Sequence, residues 1–335
     1  MMKMKKKQDS FLQTPNDQLT QNEIMINECI LNCSNKHDSI FQWLCECIAY
    51  SRMVYEINDW HHAQYQCCLG YFYINYKGEK YSLQAENHAE NSMKLISYSL
   101  NSTRQQINSP ISDDCPPNLI ILCVILLNYY TLAKSSIILH KKKTALSLIR
   151  QAENALNQVE QLLLDFIVNS KNISENSDHS EENSEQFDRN LENYYQQLNH
   201  CTLMRLDKNF YPDLKILKVC IYCLYGKIAF ECEKQVLSFD QYMHALKLIE
   251  AIYGSNSKET ISLYHALGRI KEYQTSEDDM KESLGYFKKA CEISNKVYGE
   301  TESFSSMVDL IRSVYLLGTV YMKFNLNFDE SELHV

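Results

Sequence analysis

The sequence predicts an all-α protein, built as an α-solenoid of stacked helical hairpins. Three observations carry this. Glycine and proline are scarce, 8 and 5 in 335 residues, where average usage of about 7% and about 5% would give roughly 23 and roughly 17. A chain so short of turn residues cannot build a many-stranded sandwich or barrel. Small residues recur at fixed offsets along apolar-periodic segments. Apolar material is ample, at 45% hydrophobic and 22% charged, so stacked hairpins have a core to bury.

The offsets define the units. Tyr55 to Gly70 and Tyr253 to Gly268 each span 15 residues, and each glycine follows a leucine (Leu69, Leu267). Fifteen residues further on lie Ala85 and Ser283. Ala89 then matches Phe287, Ser92 matches Ala290 and Leu95 matches Ile293. The frame recurs with a shorter turn. Gly226 is followed 12 residues later by Ser238, then Tyr242 and Ala245; Ala133 is followed 12 residues later by Ala145, then Ile149 and Ala152. Leu317–Gly318 with Tyr321 opens a further unit. A small residue on the first helix lets the second helix approach, and the large residue fills the gap between repeats. This pattern resembles the tetratricopeptide repeat. The 42 residues from Gly226 to Gly268, with IleTyrGly at 252–254 and ValTyrGly at 297–299, are similar to the longer kinesin-light-chain type, in which glycine ends an extended second helix. Repeat-packing positions are therefore expected at Gly70, Ala85, Ala133, Ala145, Ala152, Gly226, Tyr242, Ala245, Gly268, Phe287, Ala290 and Gly318.

The breaks between units suggest the organisation. Residues 1–20 read as a disordered, Lys-rich tail, 21–168 as N-terminal repeats and 169–190 as a disordered acidic insertion. Residues 191–325 read as C-terminal repeats and 326–335 as a tail. The insertion carries Glu175, Asp178, Glu181, Glu182, Glu185 and Asp188 with no base among them, and only Ile173 and Phe187 as apolar residues. It cannot bury enough surface to offset its ordering entropy. Residues 99–117, with Pro110, Pro116 and Pro117, form a second irregular connection. The run Leu119–Leu139 is long enough to span a bilayer, but Asn128, Lys134, Ser135 and Ser136 interrupt it. It is expected to be a repeat helix covered on both sides, and no membrane span is expected.

One stretch carries more than the generic repeat. AlaTyrSerArg (49–52), ValTyr (54–55), AspTrp (59–60), Ala63, LeuGly (69–70), LysGly (77–78), GlnAla (84–85) and HisAlaGlu (88–90) resemble the first repeat of the family of tetratricopeptide repeat protein 23 and its 23-like paralogue. AlaLeuSerLeuIleArgGlnAlaGluAsnAlaLeu (145–156) is similar to that family's second unit, and 214–299 follow as its third and fourth. The likeness covers about residues 40–325. Glu56 stands where the family has a turn glycine, and the acidic insertion has no counterpart. What the resemblance implies is a non-enzymatic ciliary or axonemal scaffold, working among microtubule, axonemal or ciliary-base proteins.

Several chemistries are disfavoured. No two glycines are closer than eight residues, which excludes GxGxxG and GxxxxGK[ST] phosphate loops. A net charge of −9 argues against a nucleic-acid partner, which needs a basic face. No nucleophile–base–orienter motif appears, so neither a catalytic residue nor a small-molecule substrate is expected. The best metal candidates, His61, His62, Cys67, Cys68 and His88, do not share one helical face. Cys220-x-x-Cys223 is a lone pair inside an apolar helix. No metal and no cofactor are expected. Thirteen cysteines, several of them on apolar-periodic segments, and a charged N-terminus with no apolar stretch after it point to free thiols in a reducing cytosol. On that reading the sequons at Asn32, Asn101 and Asn172 are chance matches.

Binding is where the repeat frame speaks. In a tetratricopeptide-like stack, the first-helix residues one after and three before the small residue face the concave groove. That places Tyr71, Lys134, Lys227, Arg269 and Thr319 inward, with Cys67, Tyr130, Cys223, His265 and Tyr315 beside them. Lys134, Lys227 and Arg269 then make a basic row among Tyr71, Tyr130, His265 and Tyr315. Such a row suits an extended acidic segment, either a partner's or the chain's own 175–188. Solvated cations on an open face are the plain alternative. Two functional readings follow: an architectural scaffold buried in a larger assembly through its Tyr-rich convex and end surfaces, and a cytosolic adaptor that holds an acidic peptide.

Overall fold

The computed structural model describes residues 14–31, 37–56, 59–103, 117–174, 214–274, 276–298 and 304–332. Most of the basic tail (1–13), most of the proline connection (104–116), the acidic stretch 175–190, residues 191–213 and 333–335 lie outside the described residues. The helices are α1 (Pro15–Leu31), α2 (His37–Val54), α3 (Trp60–Phe72), α4 (Ser82–Thr103), α5 (Pro117–Ile138), α6 (Lys142–Ser174), α7 (Leu214–Glu231), α8 (Gln235–Tyr253), α9 (Lys258–Gln274), α10 (Glu277–Tyr298) and α11 (Phe304–Glu332). A π-helical turn (Tyr73–Lys77) and a 3-10 turn (Glu79–Tyr81) join α3 to α4. No strand occurs among the described residues. The chain forms two compact units, Met1–Leu214 and Lys215–Val335. In each, helices pack on their chain neighbours as antiparallel hairpins, so the fold is an all-α solenoid of helical hairpins.

The helix ends cross several expected boundaries: α6 runs to Ser174, into the expected 169–190 insertion, and α4 to Thr103, into the expected 99–117 connection. α1 starts inside the expected 1–20 tail. Thr14 and Asp17 form a reciprocal capping box, with the Asp17 N–H donating to Thr14 Oγ1 (3.2 Å) and the Thr14 N–H to Asp17 Oδ2 (3.0 Å). The Thr14 hydroxyl also donates to Asp17 Oδ2 (2.7 Å), and this bond, with the one from the Thr14 N–H, holds the Asp17 carboxyl below the usual carboxylate range. Pro15 and Pro117 sit at first helical positions, where a missing N–H costs nothing. At the other end α11 runs to Glu332, through most of the expected 326–335 tail. Ser276 and Asp279 repeat the capping box before α10 (Asp279 N–H to Ser276 Oγ, 3.1 Å).

The two short hairpins owe their 12-residue offset to one turn. His140 (φ 57°) and Glu233 (φ 59°) are left-handed. Lys141 N–H reaches back to the Ser136 carbonyl (2.8 Å), and Lys234 N–H to the Ala229 carbonyl (2.9 Å). Both are Schellman closures made without glycine. Gly254 (φ 86°) ends α8, where the IleTyrGly spacing put a helix end.

Contact inside each hairpin is governed by the frame residue. A Cβ on Gly70 would lie 3.1 Å from the Ala85 carbonyl oxygen. On Gly226 it would meet the Tyr242 ring at 2.7 Å, and on Gly268 the Phe287 ring at 2.8 Å. So the large residue fills the groove over its own hairpin's glycine, not only the gap between repeats. The small residue also does more than yield space. Ser238 Oγ donates to the Gly226 carbonyl (2.7 Å) and Ser283 Oγ to the Gly268 carbonyl (2.8 Å). Ala85, Ala133, Ala145, Ala152, Ala245 and Ala290 are all buried. Gly318 departs from the frame: it is exposed, and a Cβ there would meet nothing within 4 Å. No described helix follows α11 to approach it.

α5 is long and apolar enough to cross a membrane by length and composition, and 72% of its Ile121–Ile138 window is packed inside the fold. Asn128, Thr131, Ser135 and Ser136 on it are buried too. Asn128 Nδ2 donates to Ser92 Oγ (2.7 Å), which donates to the Ala63 carbonyl (2.6 Å). This relay ties α5 through α4 to α3.

The glycines allow a paired test. Gly268→Ala should destabilise by about 1–3 kcal/mol, because the Phe287 ring must shift. Gly285→Ala, at an open position inside α10, should stabilise by about 0.5–1 kcal/mol through helix propensity. Urea midpoints read both, and equal shifts would contradict the close-approach account.

Candidate functional site

In the second unit, the first helices of successive hairpins line a cleft of about 410 Å³. α7 contributes Lys227, Phe230 and Glu231; α8 contributes Tyr242; α9 contributes Ser262, His265, Ala266, Arg269 and Ile270; α11 contributes Arg312. The helical period explains the α9 set, since residues 262, 265, 266, 269 and 270 make one stripe. Lys227 and Arg269 each follow the frame glycine, which Tyr242 and Phe287 hold against the neighbouring helix. The cations are thus presented by the best-packed point of each hairpin.

The electrostatics are one-sided. Lys227, Arg269 and Arg312 share the cleft with one acid, Glu231. Among the described residues none of those three cations forms an ion pair. Elsewhere Lys77, Lys141, Lys271, Lys281 and Lys323 hold Asp38, Glu86, Asp279, Glu277 and Glu272. The cleft walls are firmer than its rim. His265 is buried, and its Nε2 stands 2.9 Å from Ser313 Oγ, itself 2.9 Å from Ser294 Oγ. Burial pushes the Tyr242 phenol well above its ordinary pKa, with Cys223 and Glu231 adding to the rise. It stays neutral and acts as an apolar wall. Phe230 and Ile270 extend that wall.

The structure divides the expected groove residues. Lys227, His265 and Arg269 come together. Tyr71, Tyr130 and Lys134 form a separate cluster in the first unit. Tyr71 and Tyr130 are 6% and 4% exposed, their ring centroids 5.9 Å apart. They are buried where α3 meets α5, so they do not line an open groove. Lys134 Nζ donates to Asn75 Oδ1 (2.6 Å), on the π-helical turn, and sits 5.9 Å from the Tyr130 ring. Tyr315 stands outside the cleft on α11, 68% exposed. Arg312 is the residue that sequence reasoning missed. It lies six before Gly318, as Ser262 lies six before Gly268. Extending the inward positions by one more turn would have found it.

The former metal candidates are each engaged separately. His61 Nδ1 lies 2.5 Å from Asp59 Oδ1, with the ring stacked on Tyr55 and Trp60. His62 bridges Ser51 Oγ (3.0 Å) and the Glu56 carbonyl (2.8 Å). His88 meets Gln66 Oε1 at 2.7 Å, and burial holds its imidazole below the ordinary pKa. Cys67 and Cys68 donate to the Val124 and Gln64 carbonyls. Among the described residues no three His, Cys, Asp or Glu side chains are grouped to hold a metal ion. Ser51 is 1% exposed, so the Ser51–His62 pair is closed to any substrate.

No protein-family model matches the chain, and no curated protein matches it.

Cations without partners add nothing to folding, and this can be measured. Replacing Lys227, Arg269 and Arg312 together by Gln should leave the urea midpoint unchanged or slightly raised. Lys271→Ala, which removes a cation shared by Asp279 and Glu282, should lower stability by about 0.5–1 kcal/mol. A marked loss of stability in the triple variant would show that the three cations serve the fold.

Proposed function

We propose that the chain is a non-enzymatic protein-interaction scaffold whose second unit captures an acidic segment of a partner in the cleft between α7, α9 and α11. The observation that carries this is the set of three uncompensated cations, Lys227, Arg269 and Arg312, on one aromatic-walled cleft, in a chain of net charge −9. An acidic chain that gathers three cations and one acid, Glu231, around one cleft leaves that cleft net positive, which a carboxylate-bearing ligand would neutralise. Arg269 and Arg312 offer planar forks for carboxylates, Lys227 a mobile point charge. Phe230 and Tyr242 supply apolar contact for the ligand's backbone and side-chain stems. Exposed pairs contribute at most about 1 kcal/mol each, so binding needs several at once and weakens steeply with salt.

The place of this scaffold in the cilium is part of the same proposal. It rests on the resemblance of residues 41–96 to the first repeat of the tetratricopeptide repeat protein 23 family. Neither a nucleic acid nor a membrane is invoked as a partner.

A fluorescein-labelled peptide of alternating Glu and Asp tests the cleft by anisotropy with the full chain. Lys227→Glu, Arg269→Glu and Arg312→Glu together should weaken binding by about tenfold or more and flatten its salt dependence. Equal affinity and an equal salt slope would sink the cleft. Proximity labelling in ciliated cells should return axonemal or ciliary-base proteins. Labelling of bulk cytosolic proteins alone would instead favour a cytosolic adaptor.

A further inference from the structure

Arginine is the rarer cation in this chain, 7 residues against 26 lysines. Lysines make the ion pairs of the fold, at Lys77, Lys141, Lys271, Lys281 and Lys323; among the described residues no arginine makes one. The cleft reverses this usage. Arg269 and Arg312 line it with one lysine, Lys227. A lysine suffices where a point charge is wanted. The planar fork of arginine is the better match where oxygens are held two at a time.

The two forks come from different helices and reach one volume. Ser313 Oγ stands 2.9 Å from His265 Nε2, and further along Lys323 holds Glu272, so α9 and α11 run the same way. Arg312, the chain neighbour of Ser313, therefore stands near the level of His265, one turn before Arg269. One turn is a rise of about 5.4 Å, a gap that two long side chains close from either end. Lys227 approaches from α7, and all three cations and Ser262 are exposed. At about 410 Å³ the cleft is at the small end of ligand pockets, which run from about 300 to 1,000 Å³. Its cations thus address one or two ligand side chains, not a long acidic run. Three cations against one acid, Glu231, leave the lining with a surplus of two positive charges. A single carboxylate leaves half of that surplus standing. A phosphate monoester brings about −1.5 to −2 charge at pH 7 and three acceptor oxygens on one centre.

We infer that the acidic residue selected by this cleft is a phosphoserine or phosphothreonine of a partner protein, with Arg269 and Arg312 each turning a fork to the phosphate and Lys227 adding the third charge. This rests on the reading of the cleft as the site of an acidic segment, and it names the side chain which that segment presents. The Ser262 hydroxyl adds a donor on the same stripe of α9. Neither arginine has an internal carboxylate to release first. The rest of the lining favours a phosphate carried on a peptide. Phe230, Ile270 and the Tyr242 ring are apolar and have nothing to hold in a free anion. Beside a phosphorylated residue they cover its flanking side chains.

Three labelled peptides test this with the full chain. They have leucine on both flanks and differ only at the central residue, which is phosphoserine, glutamate or serine. The phosphoserine peptide should bind about tenfold or more tighter than the glutamate peptide, and the serine peptide most weakly. Arg269→Lys with Arg312→Lys keeps every charge and removes both forks. That variant should hold the glutamate peptide as the wild type does, keep the wild-type thermal midpoint and lose most of the phosphoserine advantage. Inorganic phosphate should compete only at concentrations far above that of the peptide. Equal affinity for the phosphoserine and glutamate peptides overturns the inference, and so does an advantage that survives both lysine replacements. Competition by inorganic phosphate at the peptide's own concentration overturns the assignment to a peptide. The alternating Glu and Asp peptide separates the two readings. It still binds if only the selectivity for phosphate fails, whereas a chain that binds neither it nor the phosphoserine peptide removes both.

Discussion

The approach distance between the two helices of a hairpin is the constraint on which this structure depends. At Gly226 and Gly268 the second helix comes so close that one methyl group would collide with an aromatic ring at 2.7–2.8 Å. Dispersion alone would tolerate a range of distances, because it is non-directional. The serine hydroxyls remove that freedom. Ser238 and Ser283 each bond a carbonyl of the opposing helix, which is possible only at one separation and one register. In the first unit the Asn128–Ser92–Ala63 relay serves the same purpose across three helices. Leaving any of these polar groups unpaired in the buried seam would cost about 1–3 kcal/mol, so alternative registers are disfavoured sharply.

A stack held by its seams is free to differ elsewhere. Lys227 and Arg269 are one residue past the most constrained point of their helices. Their Cα positions are fixed by the glycine contact while their side chains remain exposed. The cleft therefore has packed walls and exposed charges. Its floor is built from Tyr242, the same ring that fills the Gly226 groove. Packing and recognition share that residue, which ties the cleft geometry to hairpin closure.

The spacing of small residues was enough to read the hairpins, because a close approach leaves a mark at a fixed offset in any sequence that makes it. Gly70, Gly226 and Gly268 all carry that mark and all are tightly apposed. Gly318 carries the same mark and is exposed. The offset reports what a helix can accept, not whether anything is there to fill it. The groove was read less well for a related reason. Tyr71 and Tyr130 have the inward spacing, but successive first helices touch at α3 and α5, and bulky residues there pack on each other. In the second unit the same positions hold a histidine and long cations, which reach past the seam. Thr14 and Ser276 show a different loss. Their capping partners, three residues on, were visible as T-x-x-D and S-x-x-D, and a polar, charged flank masked the first as a tail.

α11 shows the seam logic on a face that no described helix covers. Its inner face meets α10 through Leu316 and Val320, and its Ser313 reaches His265 on α9. These contacts fix the helix from one side and orient the other outward. An apolar arc exposed this way, from Val308 to Met322, lowers solubility and adds nothing to the stability of the isolated unit. Gly226 and Gly268 are covered by rings and Gly70 by the backbone of α4, whereas nothing described stands within 4 Å of a Cβ on Gly318. The basic cleft follows the same reasoning in the language of charge: Arg312 leans toward the cleft from the helix that carries the open glycine. Two surfaces of different chemistry thus share one helix, and the contacts of Ser313, Leu316 and Val320 that seat α11 on α9 and α10 also set the position from which Arg312 lines the cleft.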